Sequence, residues 1–305
     1  MDRFESMAML VKVTELGSLS AAGRALQVPL ATLSRRISDL ETRLGAKLLI
    51  RSTRKLTLTD AGITYVAAAR RILEQVEEVE REAAGEFTMP KGELTLTVPT
   101  MFGRLYVLPI IAEFLAMFPD INIQLILTDR HVDLLDAHVD MAVRIGVLPD
   151  SSMVATRVGM MRMVTCASPI LLTKYDIPQT PEDLLRIPCI AVDSPLPISL
   201  WRFQYPDQKA MFDVPIQPRL RVTTTDAAVK AAMLGVGVAR LLHYQVFEAT
   251  QTEALRIILS AYEPEPIPVH LLHASRGQMP LKMRRFLDFA APRLKVLLTE
   301  LRDAR

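Results

Sequence analysis

The sequence predicts a mixed chain, α+β at its start and α/β beyond. It reads as three parts: a small helical head closed by a β-hairpin, one long helix, and a two-lobed α/β body. Three observations carry this. Apolar residues recur at helical spacing to about Gly45 and then give way to short apolar runs around a cationic tip. A helical pattern free of proline runs from about Thr59 to Gly85. After the breaker-rich "FTMPKGE", strand-like segments alternate with helical ones as far as the final "LKMRRFLDFAAPRLKVLL". The expected boundaries are 1–58 for the head, 59–90 for the long helix and 91–305 for the body. Within the body, lobe 1 takes about 91–165 plus 268–305 and lobe 2 about 166–267.

The 305 residues suit two or three domains. Half are hydrophobic and 23% are charged, which excludes a disordered chain. The net charge of +2 is too small to identify a partner, but it is unevenly spread. Residues 1–60 carry ten Lys/Arg against six Asp/Glu, leaving +4, and residues 61–90 carry three against six, leaving −3. A basic head on an acidic neck fits a polyanion bound by the head alone. The opening "MDRFESMAMLVKV" has acids inside its apolar pattern, so neither a signal nor a transit peptide is expected. No apolar run is expected to span a membrane, and the expected location is the cytoplasm. Cys166 and Cys189 have neither metal nor disulfide spacing and are expected to be buried reduced thiols.

In the head, Phe4, Met7, Ala8 and Val11 predict a first helix ended by Gly17. Ser20 is a candidate N-cap for a short second helix with Ala21, Ala22, Ala25 and Leu26 inward. Pro29 suits the first turn of a third helix. There Leu33, Ile37, Leu40 and Leu44, spaced 4, 3 and 4, make one buried stripe, and Gly45 stops the helix. The exposed side then carries Ala31, Thr32, Ser34, Arg35 and Arg36. Two short helices joined by "QVP" make a helix-turn-helix whose second helix offers its N-terminal half to a major groove. Arginine can pair there with guanine, and small apolar groups can touch thymine methyls. A solvated amphipathic helix is the competing reading, but "AKLLIRSTRKLTLT" follows at once. Short apolar runs around Arg51, Ser52, Thr53, Arg54 and Lys55 predict a hairpin wing suited to phosphate contacts.

The stretch "SLSAAGRALQVPLATLSRRISDLETRLGAKLLIRSTRKLTLTDAG" resembles the N-terminal domain of LysR-type transcriptional regulators. The likeness lies in the run of small residues, the Ser-Arg helix, "LE-x-RLG", "R-S-T-R" and "LT-x-AG" in that order. At one point the chain departs: Pro29, Leu30 and Ala31 stand where many members have a Ser-Gln-Pro-like start. The DNA-contacting set read from this stretch is Ser20, Ala31, Thr32, Ser34, Arg35, Arg36, Arg51, Thr53, Arg54 and Lys55, without Leu30.

Thr59 and Asp60 can cap the long helix, in which Val66, Ala69, Leu73, Val76 and Ala83 step as a coiled-coil seam interrupted by Glu80. So few heptads need a partner surface. The resemblance implies an antiparallel dimer of these helices, and two heads would read two half-sites. In the body, "LTLTVP", "INIQLIL" and "VDMAVRIG" are expected strands, with helices at "RLYVLPIIAEFLAMFP" and "HVDLLDAH". Further units follow at "MVTCAS", "CIAVD", "RLRVTTTDAAVKAAMLGVGVARL" and "VHLLHAS", which argues for a parallel sheet in each lobe. Connections near Thr165 and Ile267 would join the lobes around a cleft. The resemblance implies an effector domain similar to periplasmic binding proteins. "VRIG" at Val143–Gly146 and "WRF" at Trp201–Phe203 match a subset of the family.

Ligands in such sheets sit beyond strand C-termini and near helix N-termini. Thr100, Met101, Thr128, Arg144, Thr224 and Thr225 are therefore effector candidates, with Asp226 at the same helix opening as the last two and Trp201 as a wall. Hydroxyls, backbone N–H groups and Arg144 would suit an organic anion. Each has a plainer reading: Thr100 and Thr128 as caps, Arg144 paired with Asp129 or Asp140, Trp201 as core. His131 and His138 lack metal spacing, "LGVGVA" reads as a turn, and no catalytic constellation is visible. No metal and no cofactor are expected. The expected partners are double-stranded DNA, a second copy in a dimer or tetramer, a small organic effector and the transcription machinery. The alternative is a small-molecule-binding α/β protein or enzyme whose N-terminal helices serve only assembly.

Overall fold

Helix α1 (Arg3–Leu16) starts at Asp2, whose carboxylate accepts the Phe4 N–H at 2.9 Å, and stops at Gly17 with φ 62°. Its buried residues are Ser6, Met9, Leu10, Val11 and Val13, while Phe4 is 46% exposed. Of the four residues whose spacing predicted the helix, Val11 is buried and Phe4 is not, and α1 packs against α2 (Leu19–Ala25), α3 (Leu30–Leu44) and the long α4 (Asp60–Ala83). Between α3 and α4, strands β1 (Leu49–Arg51) and β2 (Leu56–Leu58) form an antiparallel hairpin. This computed structural model describes residues 2–51, 56–83, 89–130, 134, 139–148, 153–192, 200–274 and 279–303. The chain divides into two units, Met1–Gly92 and Glu93–Arg305.

Helix α4 gives the N-terminal part of its expected seam, Val66, Ala69 and Leu73, to the head itself. Val66 and Ala69 join the cluster of Leu10, Val13, Leu33, Ile37, Leu40 and Leu48. Leu73 and Val76 are half-buried, and Ile72 beside Leu73 remains exposed. The start of the helix is fixed by Thr59, whose hydroxyl accepts the Gly62 N–H and donates to the Lys47 carbonyl. A Cβ on Gly62 would sit 2.1 Å from the Leu48 oxygen, so the "LT-x-AG" glycine is demanded by a backbone contact.

The second unit holds two five-stranded sheets. Lobe 1 contains β3 (Gly92–Val98), α5 (Thr100–Phe102), a π-helical turn (Gly103–Val107), α6 (Leu108–Met117), β4 (Ile121–Leu127), β5 (Met141–Ile145) and β6 (Met153–Met161). Lobe 2 contains β7 (Met163–Ala167), α7 (Pro169–Tyr175), a 3-10 turn (Pro181–Arg186), β8 (Cys189–Val192), the hairpin β9 (Leu200–Gln204) and β10 (Met211–Pro215), and β11 (Pro218–Val222). It continues through α8 (Thr225–Met233), β12 (Val238–Leu242), α9 (His243–Gln251), β13 (Arg256–Ile258) and a 3-10 turn (Ser260–Tyr262). The chain then returns to lobe 1 as β14 (Ile267–Ala274) and α10 (Leu281–Asp303). The strand orders are β4-β3-β5-β14-β6 and β11-β8-β12-β7-β13.

Neither sheet is wholly parallel, against expectation. β3 pairs with β5, and β8 with β11 and β12, in parallel; β14 is antiparallel to β5 and β6, and β7 to β12 and β13. The cause is the double crossing between lobes. Only Arg162 separates β6 from β7, so the chain enters the second sheet with no helix in between, and β14 comes back from the other lobe. Met163, Val164 and Thr165 accordingly belong to the lobe 2 sheet, three residues before the expected boundary, and Ile267 already belongs to lobe 1.

The core is continuous across both lobes, with Phe102, Phe114, Phe286 and Leu294 on one side and Val164, Ala239 and Val246 on the other. Thr100–Met117 has the length and hydropathy of a membrane span, contrary to the expectation that no stretch would. Its apolar character has a local use, because Phe102, Val107, Ile110, Ile111 and Phe114 are buried in this core. The expected helix "HVDLLDAH", with His131 and His138, lies almost wholly outside the described residues.

Candidate nucleic-acid interface and interlobe site

The turn between α2 and α3 is set by close backbone approach. Gln27 takes φ 55°, and the Val28 N–H donates to the Gly23 oxygen at 2.9 Å. A Cβ on Gly23 would lie 2.9 Å from the Val28 oxygen, so α2 cannot accept a larger residue there. The cap of α2 is Ser18, whose hydroxyl accepts the Ala21 N–H at 3.3 Å. Ser20, the expected cap, is an exposed residue of the first turn, and Ala25 is exposed rather than inward. Pro29 is the N-cap residue of α3 and not its first turn.

In α3, Leu33, Ile37 and Leu40 are fully buried, whereas Leu44 is 41% exposed because the stripe runs past the edge of the core at the last turn. Ala31 and Thr32 are exposed, and Ser34 is half-buried. The two arginines differ. Arg35 is 84% exposed, its guanidinium 3.9 Å from Asp39, whereas Arg36 reaches back to Glu5 of α1 at 3.2 Å. Arg36 is therefore partly committed to holding α3 on α1. Arg51 pairs with Leu56 at the end of the hairpin, and Thr53, Arg54 and Lys55 lie outside the described residues.

Glu41 was not foreseen as anything beyond the "LE" of the motif. It is 3% exposed, and its carboxylate accepts the N–H groups of Leu48 (2.9 Å) and Leu49 (3.1 Å) and the Lys47 ammonium (2.8 Å). Burial pushes its pKa up, but Lys47 and the two backbone donors outweigh that and hold it below the ordinary carboxylate value. The carboxylate thereby fastens the last turns of α3 to the start of β1. Its signal was present in the spacing: an acid where the stripe Leu33, Ile37, Leu40 continues inward.

In the body, four candidates meet at the seam between lobes. Thr100 opens α5, and its N–H donates to Asp129 at 3.0 Å. Met101 is 7% exposed, and its sulfur lies 3.9 Å from the Thr225 hydroxyl of lobe 2. Thr224 caps α8 by accepting the Ala227 N–H. Beside them Arg104, on the π-helical turn, meets Asp226 at 2.7 Å across the seam. Gly103 permits this turn to lie close to the sheet: a Cβ there would be 2.3 Å from a Leu127 methyl carbon. Thr128 stands at the adjoining strand end, with its N–H on Val98 and its hydroxyl accepting from Arg130. Aromatic rings wall the same seam, Phe102 lying 5.4 Å from Tyr106 and 5.2 Å from Tyr244. Burial raises the pKa of both phenols.

Two candidates stand apart. Trp201 fills the outer core of lobe 2 with Phe203, Leu184 and Ile216. Arg144 is 8% exposed on β5, in register with His270, and burial lowers its pKa. The acids expected beside it, Asp129 and Asp140, accept backbone N–H groups from Thr100 and Thr95. Arg104, Tyr106 and Tyr244 were missed, and Asp226 was foreseen only as part of a helix opening, not as the partner of Arg104. Arg104 and Asp226 are 122 positions apart, and nothing local in either segment announces the pair.

The crossovers carry a second unforeseen feature. Arg162 and Glu263 form a two-pronged ion pair, Nε and Nη2 each 2.9 Å from a carboxylate oxygen. One partner sits on each connection between the lobes, and the Arg162 carbonyl accepts the His243 N–H. Cys166 and Cys189 are buried, and burial pushes both thiols up to about 12.

Comparison with known proteins decides the family. Residues 4–63 match the model of the bacterial regulatory helix-turn-helix protein, lysR family, and residues 88–295 match the LysR substrate binding domain. The chain belongs to the LysR family. It is 32% identical to the HTH-type transcriptional activator AaeR of Escherichia coli K12, over 93% of this chain and 91% of that one. It is 33% identical to an HTH-type transcriptional regulator of Xanthomonas campestris pv. campestris, over 94% and 84%. Among solved structures, CrgA, a LysR-type transcriptional regulator from Neisseria meningitidis, aligns with TM-score 0.62 at 27% identity, covering 95% of this chain and 98% of that one. The chain is thus a LysR-family transcriptional regulator with a DNA-binding head and an effector-binding body, and the assembly-only alternative is not favoured. Its relatives carry the names of regulators rather than enzymes.

Proposed function

We propose that this regulator works in the cytoplasm as a dimer or tetramer and responds to a small organic anion bound at the seam between the lobes, without a metal or cofactor. The observation that carries the effector reading is the ion pair Arg104–Asp226. It lies among Thr100, Met101, Thr224 and Thr225, and its guanidinium is 55% exposed. A carboxylate entering the seam would compete with Asp226 for Arg104 and meet the N-terminus of α8. An anion that binds one arrangement of the lobes better than the other shifts their equilibrium by that difference. Ile72 and Val76 of α4, beyond the part spent on the head's core, support self-association through the long helix.

The bases are read by Ala31, Thr32, Ser34 and Arg35, with Arg36 shared between α1 and the DNA. Phosphates are held by Arg51, Thr53, Arg54 and Lys55, with Ser20 at the edge of the contact. The transcription machinery is the remaining partner of this reading.

The test is a thermal-shift screen of mono- and dicarboxylic acids on the full chain, repeated with Thr128→Val and followed by operator mobility shifts. A stabilising acid whose effect Thr128→Val removes, with operator binding intact, supports the reading. An unchanged response in Thr128→Val overturns that residue's role. No response to any acid, in a chain that still binds its operator, overturns the anion.

A further inference from the structure

The first turn of α3 carries an apolar leading edge. Leu30 is the first residue of the helix and is 49% exposed, and Ala31 and Thr32 beside it are exposed as well. A lone exposed leucine on a protein surface needs no explanation. This one occupies the end of the helix that a helix-turn-helix presents to base edges. Its backbone is fixed there: the Leu30 Cα lies 3.9 Å from where a Cβ on Gly23 would be, so α2 holds the turn while the side chain leaves the core.

Pro29, Leu30 and Ala31 offer no side-chain hydrogen-bond donor or acceptor, and Pro29 makes no side-chain cap. The major-groove edges of adenine and guanine are polar, and that of cytosine offers its N4 amino group and only a bare C5–H beside it. Pressing an alkyl group against them strips water without replacing the hydrogen bonds. Thymine alone presents a methyl group in that groove.

We propose that Leu30 is a specificity-determining residue that reads the 5-methyl group of a thymine in each half-site. This rests on α3 docking in the major groove, and it adds a residue to the base-reading set named above. It also gives the departure from the Ser-Gln-Pro-like start a consequence, since an apolar contact replaces a hydrogen-bonding one at the front of the helix.

The experiment selects the preferred duplex of the full chain from a random pool. Each thymine of that duplex is then replaced singly by deoxyuridine, which removes only the methyl group. The wild-type chain should lose about three- to five-fold in affinity at one thymine per half-site, the ratio expected for one methyl-sized apolar contact. Leu30→Ala, half-exposed in the parent and thus safe for folding, should bind the thymine and deoxyuridine duplexes alike. Leu30→Gln should shift the selected base at that position away from thymine. If the pool enriches a sequence but no deoxyuridine substitution weakens binding, or Leu30→Ala keeps the full penalty, the proposal is overturned and the docking stands. If no sequence is enriched, the docking falls and the proposal with it.

Discussion

The two units of the chain place their candidate functional residues in opposite ways. In the head, Ala31, Thr32, Ser34 and Arg35 lie within the first two turns of one helix, and Ala31, Thr32 and Arg35 are exposed. In the body they come from helix starts more than 120 positions apart, and they meet only because two sheets share a core. The head needs one rigid element presented to a partner with a fixed groove. The body's candidate site draws Met101 and Arg104 from lobe 1 and Thr225 and Asp226 from lobe 2, so it belongs to neither lobe alone.

If the head is a single rigid presenter, its rigidity should fail at Glu41. Glu41→Ala leaves the Leu48 and Leu49 N–H groups without their acceptor. At about 1–3 kcal/mol for each buried donor, the head should lose roughly 2–6 kcal/mol. Denaturant unfolding followed by far-UV dichroism should show an early transition, while fluorescence of Trp201, the sole tryptophan of the chain, reports the body unchanged. The same carboxylate gives the head an acid sensitivity. Its folded pKa is below the ordinary 4.5, so its stabilisation is complete above pH 4.5 and is lost as pH falls through the folded value. Glu41→Gln should flatten that loss, which pH titration of the head's unfolding midpoint checks.

The matching break in the body is Arg162→Ala, which strands Glu263, only 14% exposed, at the crossover. About 3 kcal/mol should vanish from the Trp201-reported transition, with the head unaffected. Equal loss in both transitions would erase the contrast between the units.

Smaller effects sharpen it. Arg35→Ala should remove about 1–3 kcal/mol of base discrimination if a bidentate guanine contact is lost. At 84% exposure it should leave unfolding unchanged, and competition binding against single-base variants reads the difference. Smallest of all is Arg104→Gln, which should cost under about 1 kcal/mol of stability because the pair with Asp226 is half in water. Its effect belongs to the effector response, measured as a loss of the acid-induced thermal shift.

The sequence by itself determined the three-part organisation, the helix-turn-helix with its hairpin, and the family, because each depends on local spacing and on short-range turn chemistry. Gly45, Gly17 and the apolar stripe of α3 were legible for that reason. Tertiary structure decided what periodicity leaves open: which face of α1 is buried, where α4 spends Val66 and Ala69, and that Glu41 is an internal acceptor. It also decided that β14 runs antiparallel to β5 and that Arg104 meets Asp226 rather than water. Those outcomes depend on distant segments competing for the same surface, and a strand or charge pattern carries no record of its eventual neighbour.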